Sequence, residues 1–97
     1  MGKTYWVYIL ASRPHGTLYI GVTNSLAQRM GQHRSGRGSA FVKQHAVYRL
    51  VYVEPYDNPG DAIRREKQLK VWKRDWKIVL IEKDNLDWSD LSGLIVE

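Results

Sequence analysis

The chain has 97 residues, 43% of them apolar, with four Trp and six Tyr, which suits one domain (residues 1–97) with one modest core and leaves no material for a second. It has no cysteine, so disulfides and thiolate metal sites are excluded and a reducing, cytoplasmic setting is expected; its longest apolar stretch, Tyr5 to Ala11, is far too short to span a bilayer, and no signal-like segment opens the chain, so a soluble, unprocessed protein with no membrane partner is expected. A net charge of +5 favours a polyanionic partner.

Two runs rich in β-branched and aromatic residues, Tyr5 to Leu10 and Thr17 to Val22, flank the turn formers Ser12 to Gly16 and predict a hairpin. Pairing Ala11 with Gly16 across a four-residue loop sets Tyr8 opposite Tyr19. Alternation then gathers Val7, Ile9, Leu18 and Ile20 on a core face. The second face carries Trp6, Tyr8, Tyr19 and Gly21, a mixture of phenols and bare backbone that suits a functional floor better than packing. Asn24 is the expected N-cap of a helix from Ser25 to about Ser35, stopped by Gly36 and Gly38. On it Arg29 and His33 share a face, close to the apolar stripe of Leu26 and Met30.

Residues 35–39 read as a Gly/Ser loop and Ala40 to His45 as a short helical turn, followed by a third strand from Tyr48 to Val53 that Glu54-Pro55 ends. A second long helix is expected from Asn58-Pro59 to about Val71, with Asn58 as cap and Ala62, Ile63 and Leu69 inward. Glu66 lies three residues after Ile63 and three before Leu69, in the middle of that stripe. A third helix from about Lys73 to Lys83 should bury Trp76, Val79 and Leu80, and the tail from Asn85 to Leu91 offers Trp88 and Leu91 as a lid. The expected class is therefore α/β of the α+β type, a small three-stranded antiparallel sheet flanked by helices.

Charge is unevenly placed. Seven basic residues precede the first carboxylate, Glu54, and all ten acids lie from there onward, so the first half of the chain repels no phosphate. The seven basic residues between Arg64 and Lys77 fit a solubilising surface better than a phosphate track. Hydrolysing a phosphodiester needs a base for water, a cation beside the non-bridging oxygens and a metal to stabilise charge. Phenol, guanidinium and a carboxylate holding Mg²⁺ can supply these.

These residues resemble the GIY-YIG nuclease superfamily, in particular its small stand-alone bacterial members, also labelled URI-domain proteins. The first motif matches as Trp6-Val7-Tyr8 and the second as Tyr19-Ile20-Gly21, with ten residues between the tyrosines. Residues 24–33 resemble the next motif, with Arg29 and His33; residues 65–70 resemble the motif around the metal-binding glutamate, here Glu66; residues 85–91 resemble the closing asparagine and Trp-x-x-Leu segment. Trp6 replaces the first glycine, and Val22 stands where some relatives carry lysine.

The resemblance implies a metal-dependent endonuclease acting on DNA, with nicks, flaps or damaged ends left open as substrates in a repair-type role. Its site residues would be Tyr8 and Tyr19, either of them the general base, Arg29 on the phosphate, His33 on the phosphate or in a proton relay, and Glu66 as sole protein ligand to Mg²⁺ or Mn²⁺. Gly21, Arg34, Arg37 and Lys43 are expected to meet nucleic acid, and Asn85 to support the site. The bland alternatives are packing tyrosines, an exposed arginine, a surface histidine and a Glu66 salt bridge. A nucleic-acid-binding module without turnover and a partner-binding domain remain competing functions, and DNA against RNA and a weak homodimer stay open.

Overall fold

The computed structural model describes residues 3–95. The two β-prone runs form an antiparallel hairpin of β1 (Tyr5–Ala11) and β2 (Leu18–Thr23). Its register differs from the expected one: Tyr8 faces Gly21 and Tyr19 faces Leu10. The turn is the cause. The Ser12 amide donates to the Thr17 carbonyl at 3.0 Å, and the Thr17 amide donates to Ser12 Oγ at 3.0 Å, so Ser12 and Thr17 close the loop instead of Ala11 and Gly16. A slip of two residues leaves every side chain on its face, because the side-chain period is two.

β3 (Arg49–Tyr56) pairs antiparallel with the other side of β1, giving the order β2-β1-β3. It continues past the expected end at Glu54-Pro55. Pro55 is tolerated because β3 is an edge strand with an open side that needs no N–H. A register shift places Tyr52 opposite Ile9 but Leu50 opposite Leu10, so Val51 and Tyr52, though consecutive, both pack in the same core.

The sheet is buried on both faces, which corrects the expectation of one core and one open floor. Val7, Ile9, Ile20 and Val51 pack with Ala62, Leu69, Ile81 and Trp88 on one side. Tyr8, Leu10 and Leu50 pack with Leu26, Met30 and Val42 on the other. The second core exists because α1 (Leu26–Arg34) and the short α2 (Ala40–His45) bring their apolar residues across that face. The N-cap of α1 is Ser25, not Asn24: Ser25 Oγ accepts from the Gln28 amide, and Thr23 Oγ1 accepts from the Ser25 amide.

α3 (Pro59–Val71) begins as expected, with the Asn58 side chain accepting from the amides of Gly60 and Asp61. Ala62 and Leu69, seven apart, are fully buried, but Ile63 lies around the helix from them and is 43% exposed. In α4 (Arg74–Asp84) the buried residue is Ile81, with Ile78 and Leu80 partly covered. Trp76 and Val79 face outward, and Trp76 packs edge-on against Trp72 at 6.0 Å. The tail does cover the core. Trp88 is buried with its indole N–H donating to Glu82 at 2.7 Å, and Leu91, in a 3-10 turn at Leu91–Leu94, packs on the second core. No helix of the described residues is long and apolar enough to cross a membrane.

Candidate active site

Five side chains that the sequence singles out come from four elements: Tyr8 from β1, Tyr19 from β2, Arg29 and His33 from α1, and Glu66 from α3. Tyr8 is 1% exposed, and its hydroxyl lies 2.9 Å from His33 Nε2. Gly21, opposite Tyr8, makes the slot for this phenol: a Cβ on Gly21 would sit 2.4 Å from Tyr8 Oη. His33 is itself buried, so it is not a surface histidine. Gly38 closes its other side, since a Cβ there would lie 2.5 Å from Nδ1, and Nδ1 has no hydrogen-bond partner among the described residues.

The electrostatics follow from this burial. Desolvation, then Tyr19 and Glu66, push the Tyr8 phenol well above its usual range, and the Arg29 charge only partly opposes them. Burial and the Arg29 guanidinium hold His33 below the usual imidazole value. The neutral imidazole and the protonated phenol share a single hydrogen bond, whose donor is set by the His33 tautomer. Tyr19 is half-buried, 6.3 Å from the Tyr8 ring and edge-on to His33 at 5.5 Å, so it forms the outer rim.

Arg29 is half-buried and has no carboxylate partner among the described residues; it lines a cleft with Asn24, Pro59 and Ile63. Glu66 takes the salt bridge named among the alternatives: its Oε2 lies 3.0 Å from Lys70 Nζ, with only 14% of the side chain exposed. That contact also tests the metal. A divalent cation on this mostly buried carboxylate would take the place of the Lys70 ammonium, since two cations on one carboxylate repel, and no three His, Asp or Glu side chains among the described residues converge on a closed metal site. A single carboxylate fits Mg²⁺ or Mn²⁺, which keep most of their waters, and not a fully caged metal.

The residues expected at a nucleic-acid surface divide. Gly21 is occupied by the Tyr8 phenol. Arg34 does not stand free, because its guanidinium donates to Asp90 at 3.2 Å, to Ser92 Oγ at 2.6 Å and to the Tyr48 carbonyl, tying the tail to α1. Arg37 and Lys43 are exposed; the Arg37 guanidinium donates to Ser35 Oγ, and the Lys43 stem lies beside Gly36. Asn85 braces the tail, donating to the carbonyls of Val51 and Ser89 and accepting from the Ser89 amide.

Two features escape the sequence reading. Phe41, exposed on α2, lies beside Tyr19. Glu54 accepts from Tyr52 at 2.5 Å, from Tyr56, and from Arg65 Nε at 2.9 Å, clamping β3 to the residue next to Glu66. The visible signal was Tyr52-x-Glu54-x-Tyr56, a lone acid between tyrosines at strand period.

A family model for the GIY-YIG catalytic domain matches residues 4–79. The UPF0213 protein of Oceanobacillus iheyensis is 33% identical over 82 residues, covering 84% of this chain and 94% of that protein. A UPF0213 protein of Staphylococcus haemolyticus is 34% identical over 83 residues, covering 86% of this chain and 99% of that one. The solution NMR structure of the UPF0213 protein BH0048 from Bacillus halodurans superposes with a TM-score of 0.56 at 26% identity, covering 97% of this chain and 99% of that one.

Proposed function

The chain belongs to the GIY-YIG catalytic domain family, and from that membership we propose that it is a metal-dependent endonuclease hydrolysing phosphodiester bonds in DNA. One observation carries the reading. The buried Tyr8 hydroxyl lies 2.9 Å from His33 Nε2, and the Tyr19 ring stands edge-on to the same imidazole at 5.5 Å, so residues from β1, β2 and α1 meet at one enclosed point.

Of the two phenols only Tyr19 is at the rim, so water meets Tyr19 first. As water attacks phosphorus, its proton passes to the Tyr19 hydroxyl, the Tyr19 proton to Tyr8, and the Tyr8 proton to His33 Nε2. One proton leaves water and one arrives on imidazole; both phenols end neutral. A phenol acting alone, with an ordinary pKa of about 10, is scarcely ionised near neutrality, and the relay spares both phenols from ionising. Arg29 holds two non-bridging oxygens with its planar fork, and the bond to the leaving oxygen breaks as the new P–O bond forms. Glu66 would hold Mg²⁺ or Mn²⁺, which when bound supplies positive charge to the phosphate and leaving oxygen.

The test is a panel of single-stranded, duplex, nicked and branched DNA incubated with Mg²⁺, Mn²⁺ or EDTA. Cutting is expected with metal only, and Glu66→Gln should lose it while still binding. Undiminished cutting by Glu66→Gln would sink the mechanism. Salt-sensitive binding without metal-dependent cutting on any substrate would replace the enzyme with a binding module on the same fold.

A further inference from the structure

An open cavity of about 350 Å³ shares Tyr19 with the proposed active site and is otherwise lined by Leu18, Ile20, Phe41, Lys70 and Lys77. Its size falls at the small end of ligand pockets, roughly 300–1,000 Å³. Its lining is of two kinds. Phe41 is 41% exposed although Val42 supplies the buried contact of α2, so packing does not account for it. The Phe41 ring is 29° from parallel with Tyr19 at 6.1 Å, an offset arrangement that sets the rings side by side, and His45 supports Phe41 at 4.5 Å. Beside this aromatic surface the lining holds two lysines and no acidic residue. Lys70 reaches in from its pair with Glu66, and Lys77 Nζ lies 3.4 Å from the Lys70 carbonyl.

We propose that this cavity is a nucleobase subsite, in which an unpaired base next to the reacting phosphate stacks on Phe41 while Lys70 and Lys77 meet the phosphates of the same strand. Every base has a π-face, so such a platform binds without reading sequence, and lysines beside it follow the backbone. A base inside a duplex is already stacked and cannot reach Phe41. The site therefore favours a strand with an unpaired nucleotide, whether single-stranded, at a flap or extruded. An apolar peptide side chain would gain from Phe41 but offer Lys77 no anion. The subsite rests on the nuclease reading for placing a phosphate at Tyr19, but needs no turnover.

The experiment measures binding in EDTA, by fluorescence anisotropy, to a duplex and to the same duplex with one unpaired nucleotide, in deoxyribo and ribo forms. Wild type should prefer the unpaired form. Phe41→Ala should weaken binding to that form by roughly 10- to 100-fold and leave the duplex unchanged, while Phe41→Trp should restore the preference and quench 2-aminopurine at the unpaired position. The ribo and deoxyribo arms show which strand supplies the base. Equal loss on both forms, or no preference in wild type, overturns the subsite. Preference without metal-dependent cutting on any substrate would leave the subsite standing and defeat the nuclease; duplex cutting with Phe41→Ala neutral throughout would do the reverse.

Discussion

The hydroxyl of Tyr8 lies 2.9 Å from His33 Nε2 in a pocket closed by Gly21 and Gly38, whereas Tyr19 sits half-buried at its mouth. Removing the two hydroxyls should therefore have different consequences for the fold. Tyr8→Phe leaves a buried imidazole nitrogen without its partner and should cost about 1–3 kcal/mol. Tyr19→Phe leaves the Tyr8–His33 pair in place and should cost less, about 0.5 kcal/mol, the low end for one hydrogen bond. Both should stop cleavage, because the relay needs both hydroxyls. Urea unfolding beside a cleavage assay separates them, and a Tyr8→Phe protein as stable as wild type would show that the Tyr8–His33 bond holds nothing. The two tyrosines were legible from spacing and hairpin alternation, even with the register two residues out, since a slip of two keeps the face. The burial of His33 was not legible. Helix periodicity finds Leu26 and Met30, but what encloses His33 is the missing side chain of Gly38 in the loop beyond α1, and no helical pattern reports that.

At the scale of elements, the contact between β3 and α3 fixes how Glu66 is presented. Burial alone would raise the Glu54 carboxyl, but hydrogen bonds from Tyr52, Tyr56 and Arg65, with the Arg65 charge, outweigh it and hold the group below its ordinary 4.5. Arg65 also donates to Gln68 and lies over the Trp72 ring at 4.9 Å, so one guanidinium ties strand, helix and helix end together. The sign of the pH effect follows. With the folded value below the unfolded one, the unfolded chain binds more protons in between. The stability from Glu54 is thus complete above about pH 4.5 and is lost as pH falls through the lowered value. Glu54→Gln should cost about 2 kcal/mol near neutrality, and its deficit against wild type should shrink only below pH 4.5. A deficit constant down to pH 3 would mean that the charge of Glu54 contributes nothing. Asp90, also held low, acts in both proteins and cancels from the difference. The limits of α3 were legible because Asn58-Pro59 is a local signal. The end of β3 was not, since whether Pro55 stops a strand depends on which side of the sheet is open, a property of strand order.

For the molecule as a whole, the acid-free first half read correctly as unevenly charged, but sequence could not tell which of its cations are already engaged. Arg34 crosses to Asp90 and Ser92, 56 and 58 residues away, and works as a tail anchor. Arg37 and Lys43 remain exposed around the loop that carries Gly36 and Gly38. Nothing local separates Arg34 from Arg37, which flank the same Ser35-Gly36 pair; only the path of the tail does, and that path is set by Trp88 filling the first core and Asn85 bracing Ser89. If DNA lies along this loop, the two arginines should part in salt titrations. Arg37→Ala should lower the slope of log affinity against log salt by about 0.9, the release of one counterion, with unfolding unchanged. Arg34→Ala should leave that slope unchanged and reduce stability by about 1 kcal/mol, the value of an exposed ion pair backed by hydrogen bonds. Anisotropy between 50 and 200 mM salt, a range in which such contacts are resolved, beside urea unfolding reads both quantities. A slope change for Arg34→Ala equal to that for Arg37→Ala would mean that DNA displaces the tail from Arg34, and would move the binding surface onto the tail side of α1.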